Sequence, residues 1–258
     1  MSLFFRLLGE GEKGAALAKA VRSVAAGKPD ARVFEVAPQS FSQVPGAPFA
    51  YWVSEAVRGV FRRLPPFEDE GRSVTVGLQT SDDFRFVRTA WEMRAAVGRG
   101  GFASAKTSTQ RWWPFAKGGA YSPWYADVYL AANWEDDGAE IRHFDRAFIR
   151  NEDAYLRPGL TWPRRTTSAL ALRAMPAGCI FADKGPAAFV ANDDPQVLLA
   201  LLALTNSAAF RTLVSLQLAA ADAAARSYEV GVIQRTPVPE LSPDAGTTWL
   251  ASPAGAGP

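Results

Sequence analysis

The chain has 258 residues but a single cysteine, Cys179, and a single histidine, His143. One cysteine excludes an internal disulfide and every thiolate metal cluster. One histidine undercuts zinc sites, HNH-type nucleases and Ser-His triads, all of which draw on that residue. Long apolar runs are also lacking: the N-terminal Met1-Ser-Leu-Phe-Phe is broken at Arg6, and no stretch approaches the ~18 apolar residues of a membrane span. A soluble, cytoplasmic protein without a membrane partner is expected. Charge excess is absent too, with 28 Lys plus Arg against 26 Asp plus Glu, so a charged partner must be sought in local clusters.

What the chain does have is 48% hydrophobic and 12% aromatic residues, enough for a sizeable core. At roughly 150 residues per domain, its length suits one large domain or one domain with a helical attachment. Residues 1–70 read as a helical preamble, with near-helical spacing over Ala15–Ala26 and Tyr51–Arg63, cut by Pro38, Pro45, Pro48 and Pro65-Pro66. From about 72 to 190 short β-like runs (Ser73–Leu78, Val128–Trp134, Cys179–Phe181, Ala187–Val190) alternate with turn residues. Asn192-Asp193-Asp194 then offers an N-cap and Pro195 a first helical position, opening a helix or helix pair that runs to about Arg226. Tyr228–Ile233 reads as a returning strand, and 241–258 as a disordered Gly/Pro/Ala/Ser tail. The expected class is α+β, a twisted antiparallel or mixed sheet with flanking helices.

Several short motifs fail on their chemistry. Gly9-Glu-Gly11-Glu-Lys-Gly14 matches G-x-G-x-x-G, but its two acids repel phosphate, and the motif needs a strand before it and a packed helix after it. Leu64-Pro65-Pro66-Phe67 has the outline of the Pro-Pro motif of amino-methyltransferases, yet leucine cannot accept a hydrogen bond from the target amine; it reads as a structural turn. Glu135-Asp136-Asp137 with Glu140, or Asp82-Asp83, could be imagined holding magnesium. A solvated turn describes them better, although a metal-dependent nuclease or hydrolase built around Asp136 stays as the alternative enzyme reading. No catalytic, cofactor or metal residue is assigned, and Cys179 reads as a buried small hydrophobe.

The stronger pattern is distributed. Trp112-Trp113-Pro-Phe115-Ala-Lys117-Gly118-Gly119-Ala-Tyr121-Ser-Pro-Trp124-Tyr125 interleaves six aromatics with one cation and a glycine pair. Glycines permit close backbone approach, a lysine can pair with phosphate, and rings can stack or wedge. Residues 142–173 hold seven arginines against three acids, a solvated face or a loop for a DNA groove, where arginine bridges phosphates or reads guanine. The phosphate or base candidates are Lys117, Arg157, Arg164, Arg165 and Lys184, with Gln79, Asn151 and Thr161 as polar readers. Trp112, Trp113, Tyr121 and Trp162 stack or brace. Arg85 and Arg88 contact DNA or pair with Asp82-Asp83.

Six blocks carry a resemblance: Phe49–Ser54, Val76–Arg88, Pro114–Ser122, Tyr155–Trp162, Ile180–Gly185 and Tyr228–Gly231. In order, over about residues 40–240, they resemble the C-terminal part of large adenine-specific DNA methyltransferases, closest in character to the PglX-like enzymes of BREX phage-exclusion systems and type IIG restriction-modification proteins. Leu201–Phe210, with Thr205-Asn206-Ser207, also resembles a helix of TaqI-type and type I specificity domains. The resemblance implies a target recognition domain over 71–240 that reads double-stranded DNA and delivers an adenine to a methyltransferase catalytic domain or subunit. That partner would bind S-adenosylmethionine, for which this chain lacks the motifs. A protein-interaction remnant of the same scaffold is the third reading.

Overall fold

A computed structural model describes residues 1–93, 111–218 and 226–241; the expected tail lies outside these residues. The chain forms two compact units, one built on Met1–Pro65 with a short stretch from Ser215, the other on Pro66–Val214 with the residues after 225.

The first unit contains β1 (Ser2–Phe5), α1 (Lys13–Ala25), β2 (Val33–Val36), α2 (Glu55–Arg58) and α3 (Val60–Arg63). It is therefore not simply a helical preamble: β1 and β2 pair antiparallel, Leu3 opposite Glu35. Their rings explain the pairing. Phe4 stacks on Tyr51 at 5.0 Å and meets Phe41 edge-on at 5.6 Å, geometries that add to simple burial. Ser54, the last residue of the Phe49–Ser54 block, caps α2 by accepting from the Val57 amide at 3.3 Å. The glycine motif does lie between a strand and α1, but β2 returns antiparallel to β1, so no parallel crossover exists to place a pyrophosphate on the helix. The chain offers no fit there for a nucleotide or S-adenosylmethionine.

The second unit holds two four-stranded sheets. In one, β4 (Val87–Thr89) and β5 (Trp112–Ala116) flank β6 (Leu130–Asn133) antiparallel, and β10 (Ile180–Phe181) adds parallel to β5. In the other, β3 (Arg72–Thr75), β11 (Ala187–Val190), β7 (Gly159–Thr161) and β9 (Arg173–Met175) lie in that order, all antiparallel. Two residues each of β8 (Arg165–Thr166) and β12 (Arg226–Ser227) form a small ribbon. The core draws on both large sheets, with Phe181 and Phe189 at 5.3 Å and Tyr155 edge-on to Phe181 at 5.3 Å. Burying each such ring contributes about 1.5–3 kcal/mol. Mixed helices and antiparallel or mixed sheets make this an α+β fold.

Helices α4 (Asp83–Phe86) and α5 (Ala139–Arg142) are single turns, whereas α6 (Pro195–Thr205) and α7 (Ala208–Gln217) are the expected pair. Asp194 caps α6 by accepting from the Gln196 and Val197 amides at 2.8 and 3.3 Å. No single described helix is long and apolar enough to cross a membrane; α6 and α7 reach that length only together, bent by 68°. Tyr228–Ile233 is corrected: it leads into a helix, α8 (Val230–Arg235). Val232 and Ile233 are buried and Gln234 donates to the Val74 carbonyl at 3.0 Å, contacts that outweigh the β propensity of a short valine-rich run.

Candidate nucleic-acid interface

Four segments of the second unit converge. After β5 the chain turns through Lys117-Gly118-Gly119, where both glycines have positive φ, +85° and +110°. A Cβ on Gly118 would lie 2.7 Å from the Lys184 carbonyl oxygen, and one on Gly185 only 2.4 Å from the Gly118 nitrogen. Only glycine permits both the conformation and that approach. The Arg164 amide donates to the Lys184 carbonyl at 3.0 Å and the Tyr228 amide to the Arg164 carbonyl at 2.7 Å, so residues 163–165, 183–185 and 226–229 form one backbone-bonded region, against which residues 117–119 pack closely.

Their side chains differ in availability. Arg165 and Arg226 are exposed on the β8–β12 ribbon. Each faces across to a small hydroxyl residue, Ser227 and Thr166 respectively, so the two arginines occupy opposite faces of the ribbon. Lys184 is 63% exposed and lies 3.3 Å from buried Asp183. Arg164 is spoken for: its Nε donates to Glu229 at 2.7 Å. Lys117 pairs with Asp83. Burial pushes the Asp83 carboxyl up, but hydrogen bonds from Lys117 and Thr80 outweigh it and hold the group below its ordinary value.

The other expected contacts lie apart from this region or inside the protein. Trp162 is fully buried, its indole N–H donating to the Tyr228 carbonyl at 2.9 Å, and Thr161 is 4% exposed with its hydroxyl on the Pro186 carbonyl. These two brace the site from within and are withdrawn as contacts, because a sealed side chain cannot meet DNA. Arg157 binds Asp193 (2.9 Å) and the Val190 carbonyl. Arg85 pairs with Glu140, not with Asp82-Asp83, through Nε and Nη2 at 2.9 and 2.8 Å. Arg88 donates to the Phe84 and Val87 carbonyls and lies over Trp112 at 5.4 Å. Trp113 packs on the core and Tyr121 is 43% exposed. Gln79 donates to Ser81 at 3.1 Å and Asn151 to the Val76 carbonyl at 2.8 Å.

Two important residues escaped the sequence reading. Arg226 stands at the edge of an alanine-rich stretch, with no local signal except its charge. Asn206, noted only within a resembling tripeptide, is buried and exchanges hydrogen bonds with Leu172, accepting from its amide at 3.2 Å and donating to its carbonyl at 2.9 Å. It thereby ties α6 to the residue before β9. The carboxylates around Asp136 lie in a turn where Asp136 and Asp137 both have positive φ, and among the described residues no three His, Cys, Asp or Glu gather to hold a metal. Phe67 of the Pro-Pro motif is buried against Phe210 at 6.3 Å, a packing role.

No protein-family model matches the chain. It is 32% identical over 167 residues, 65% of its length, to the adenine-specific methyltransferase BrxX of Escherichia coli O9:H4 (strain HS). It is 28% identical over 195 residues, 71% of its length, to the adenine-specific methyltransferase PglX of Lacticaseibacillus casei (strain Zhang). The matches span 13% and 16% of those proteins. The chain is thus similar to a part of adenine-specific methyltransferases.

Proposed function

We propose that this chain is the DNA-reading portion of an adenine-specific DNA methyltransferase of a phage-exclusion or restriction-modification system, a TaqI-like specificity region acting beside a catalytic part. S-adenosylmethionine belongs, in this reading, to that other part. The observation that carries the reading is the β8–β12 ribbon: Arg165, Arg226 and neighbouring Lys184 are exposed, and although Lys184 pairs with Asp183, the two arginines have no carboxylate partner among the described residues, unlike Arg85, Arg157 and Arg164. A two-stranded ribbon fits the major groove, and cations on both of its faces can meet phosphates on either wall. Similarity to two adenine-specific methyltransferases supports the same assignment.

A mobility-shift series with duplex DNA tests it. Binding is expected to weaken steeply between about 50 and 200 mM salt, because each neutralised phosphate releases counterions. Absent or salt-insensitive binding overturns the reading.

A further inference from the structure

Beside the glycine turn the second unit contains a cleft of about 140 Å3, lined among others by Phe115, Lys117, Asp127, Val128, Thr161 and Arg173. Arg173 is only 4% exposed. Its guanidinium donates to the Ala120 carbonyl at 3.2 Å and to the Gly118 carbonyl. A guanidinium carries five N–H donors, so three remain without an acceptor among the described residues. Carbonyl dipoles offset part of the charge but supply no counterion. Arg85, Arg157 and Arg164 are all more exposed and each meets a carboxylate; Arg173, the most buried of the four, meets none among the described residues. A desolvated cation without a counter-charge is costly unless something supplies it, and burial accordingly depresses the Arg173 pKa.

Of the cleft's other polar groups, Tyr129 acts electrostatically on Arg173 itself, while Thr161 and Asp127 have partners of their own. The Thr161 hydroxyl donates to the Pro186 carbonyl at 2.9 Å, and exposed Asp127 accepts from the Tyr125 hydroxyl at 2.7 Å. Lys117, shared with Asp83, adds a second cation. We propose that this cleft binds a phosphate group, anchored by Arg173, with Lys117 joining as a second cation only by leaving Asp83. Guanidinium geometry matches a phosphate with two parallel hydrogen bonds, and the positive-φ glycines leave the anchor's neighbourhood unencumbered by side chains. That the phosphate comes from DNA rests on the function proposed above; the binding chemistry does not.

The full chain is titrated with inorganic phosphate against chloride at matched ionic strength, following heat and unfolding temperature, and separately with duplex DNA. Two variants accompany it: Arg173→Gln removes the anchor, and Ala126→Phe, at a partly exposed lining position, fills the cleft while keeping Arg173 should the first fail to fold. A saturable phosphate response that weakens at least tenfold in Ala126→Phe is expected. If duplex affinity falls in parallel, the occupant is a DNA phosphodiester; if duplex affinity holds, it is a free phosphate or phosphate ester. A saturable phosphate response with no duplex binding by the parent chain sinks the DNA reading and leaves this one standing. No saturable response, or one that folded variants leave unchanged, overturns the phosphate site even if duplex DNA binds.

Discussion

The arginines beside β4 and those of the β8–β12 ribbon look alike in sequence and behave differently in the fold. Around β4 and the start of β5, Arg85 is held by Glu140, Arg111 lies 3.7 Å from Glu135 and 3.9 Å from Glu140, and Arg88 lies over Trp112. On the ribbon, Arg165 and Arg226 face Ser227 and Thr166, and neither has an ion pair among the described residues. The difference teaches that a local excess of positive charge says little about binding until each cation's partner is known. A neutralised arginine must break an ion pair before it can take a phosphate; an unpaired one need not.

That contrast can be broken most severely at its support. Gly118→Val drives a side chain into the Lys184 carbonyl at a positive-φ position, combining overpacking with backbone strain. A loss of about 2–4 kcal/mol in urea unfolding is expected, with DNA binding abolished in the folded fraction. Next, Arg165→Ala with Arg226→Ala should lower the slope of log affinity against log salt by about 2. Folding stability should change by less than about 0.5 kcal/mol, since both side chains are exposed; a slope equal to the parent's assigns DNA contact to another surface. Arg85→Met gives the opposite signature. Its pair with Glu140 is half-exposed, so calorimetry should register about 0.2–1 kcal/mol while duplex affinity stays at the parent value.

The smallest effect is pH-linked. Asp83 has a lowered pKa when folded, so its contribution is complete above the ordinary aspartate value of about 3.9 and is lost as pH falls through the folded one. Lys117→Met should reduce this acid-dependent component of the unfolding curve. An identical acid limb in parent and variant would refute the pairing.

Much of the scaffold was legible in the sequence because its signals are local. Asp194-Pro195 ahead of a leucine run marks the start of α6, and Ala187–Val190 marks β11. Tyr228–Ile233 was misread because a short apolar run suits strand and helix alike, and the β1–β2 pair was missed because each strand is only four residues long. The site was far less legible. Arg85, Arg157 and Arg164 find carboxylates 55, 36 and 65 residues away, separations that no window of sequence reveals. Trp162 sits within a basic, turn-rich segment that looks like a surface loop, yet it is sealed under Tyr228.

The β8–β12 ribbon is built from just two facing residue pairs, and its arginines contribute nothing to the interior. Exchanging those few positions therefore leaves the hydrophobic framework intact, whereas altering the glycine turn beneath would not. On the proposed DNA-reading role, the protein separates what it holds constant from what it can rewrite, and a new target preference lies within reach of a handful of codon changes.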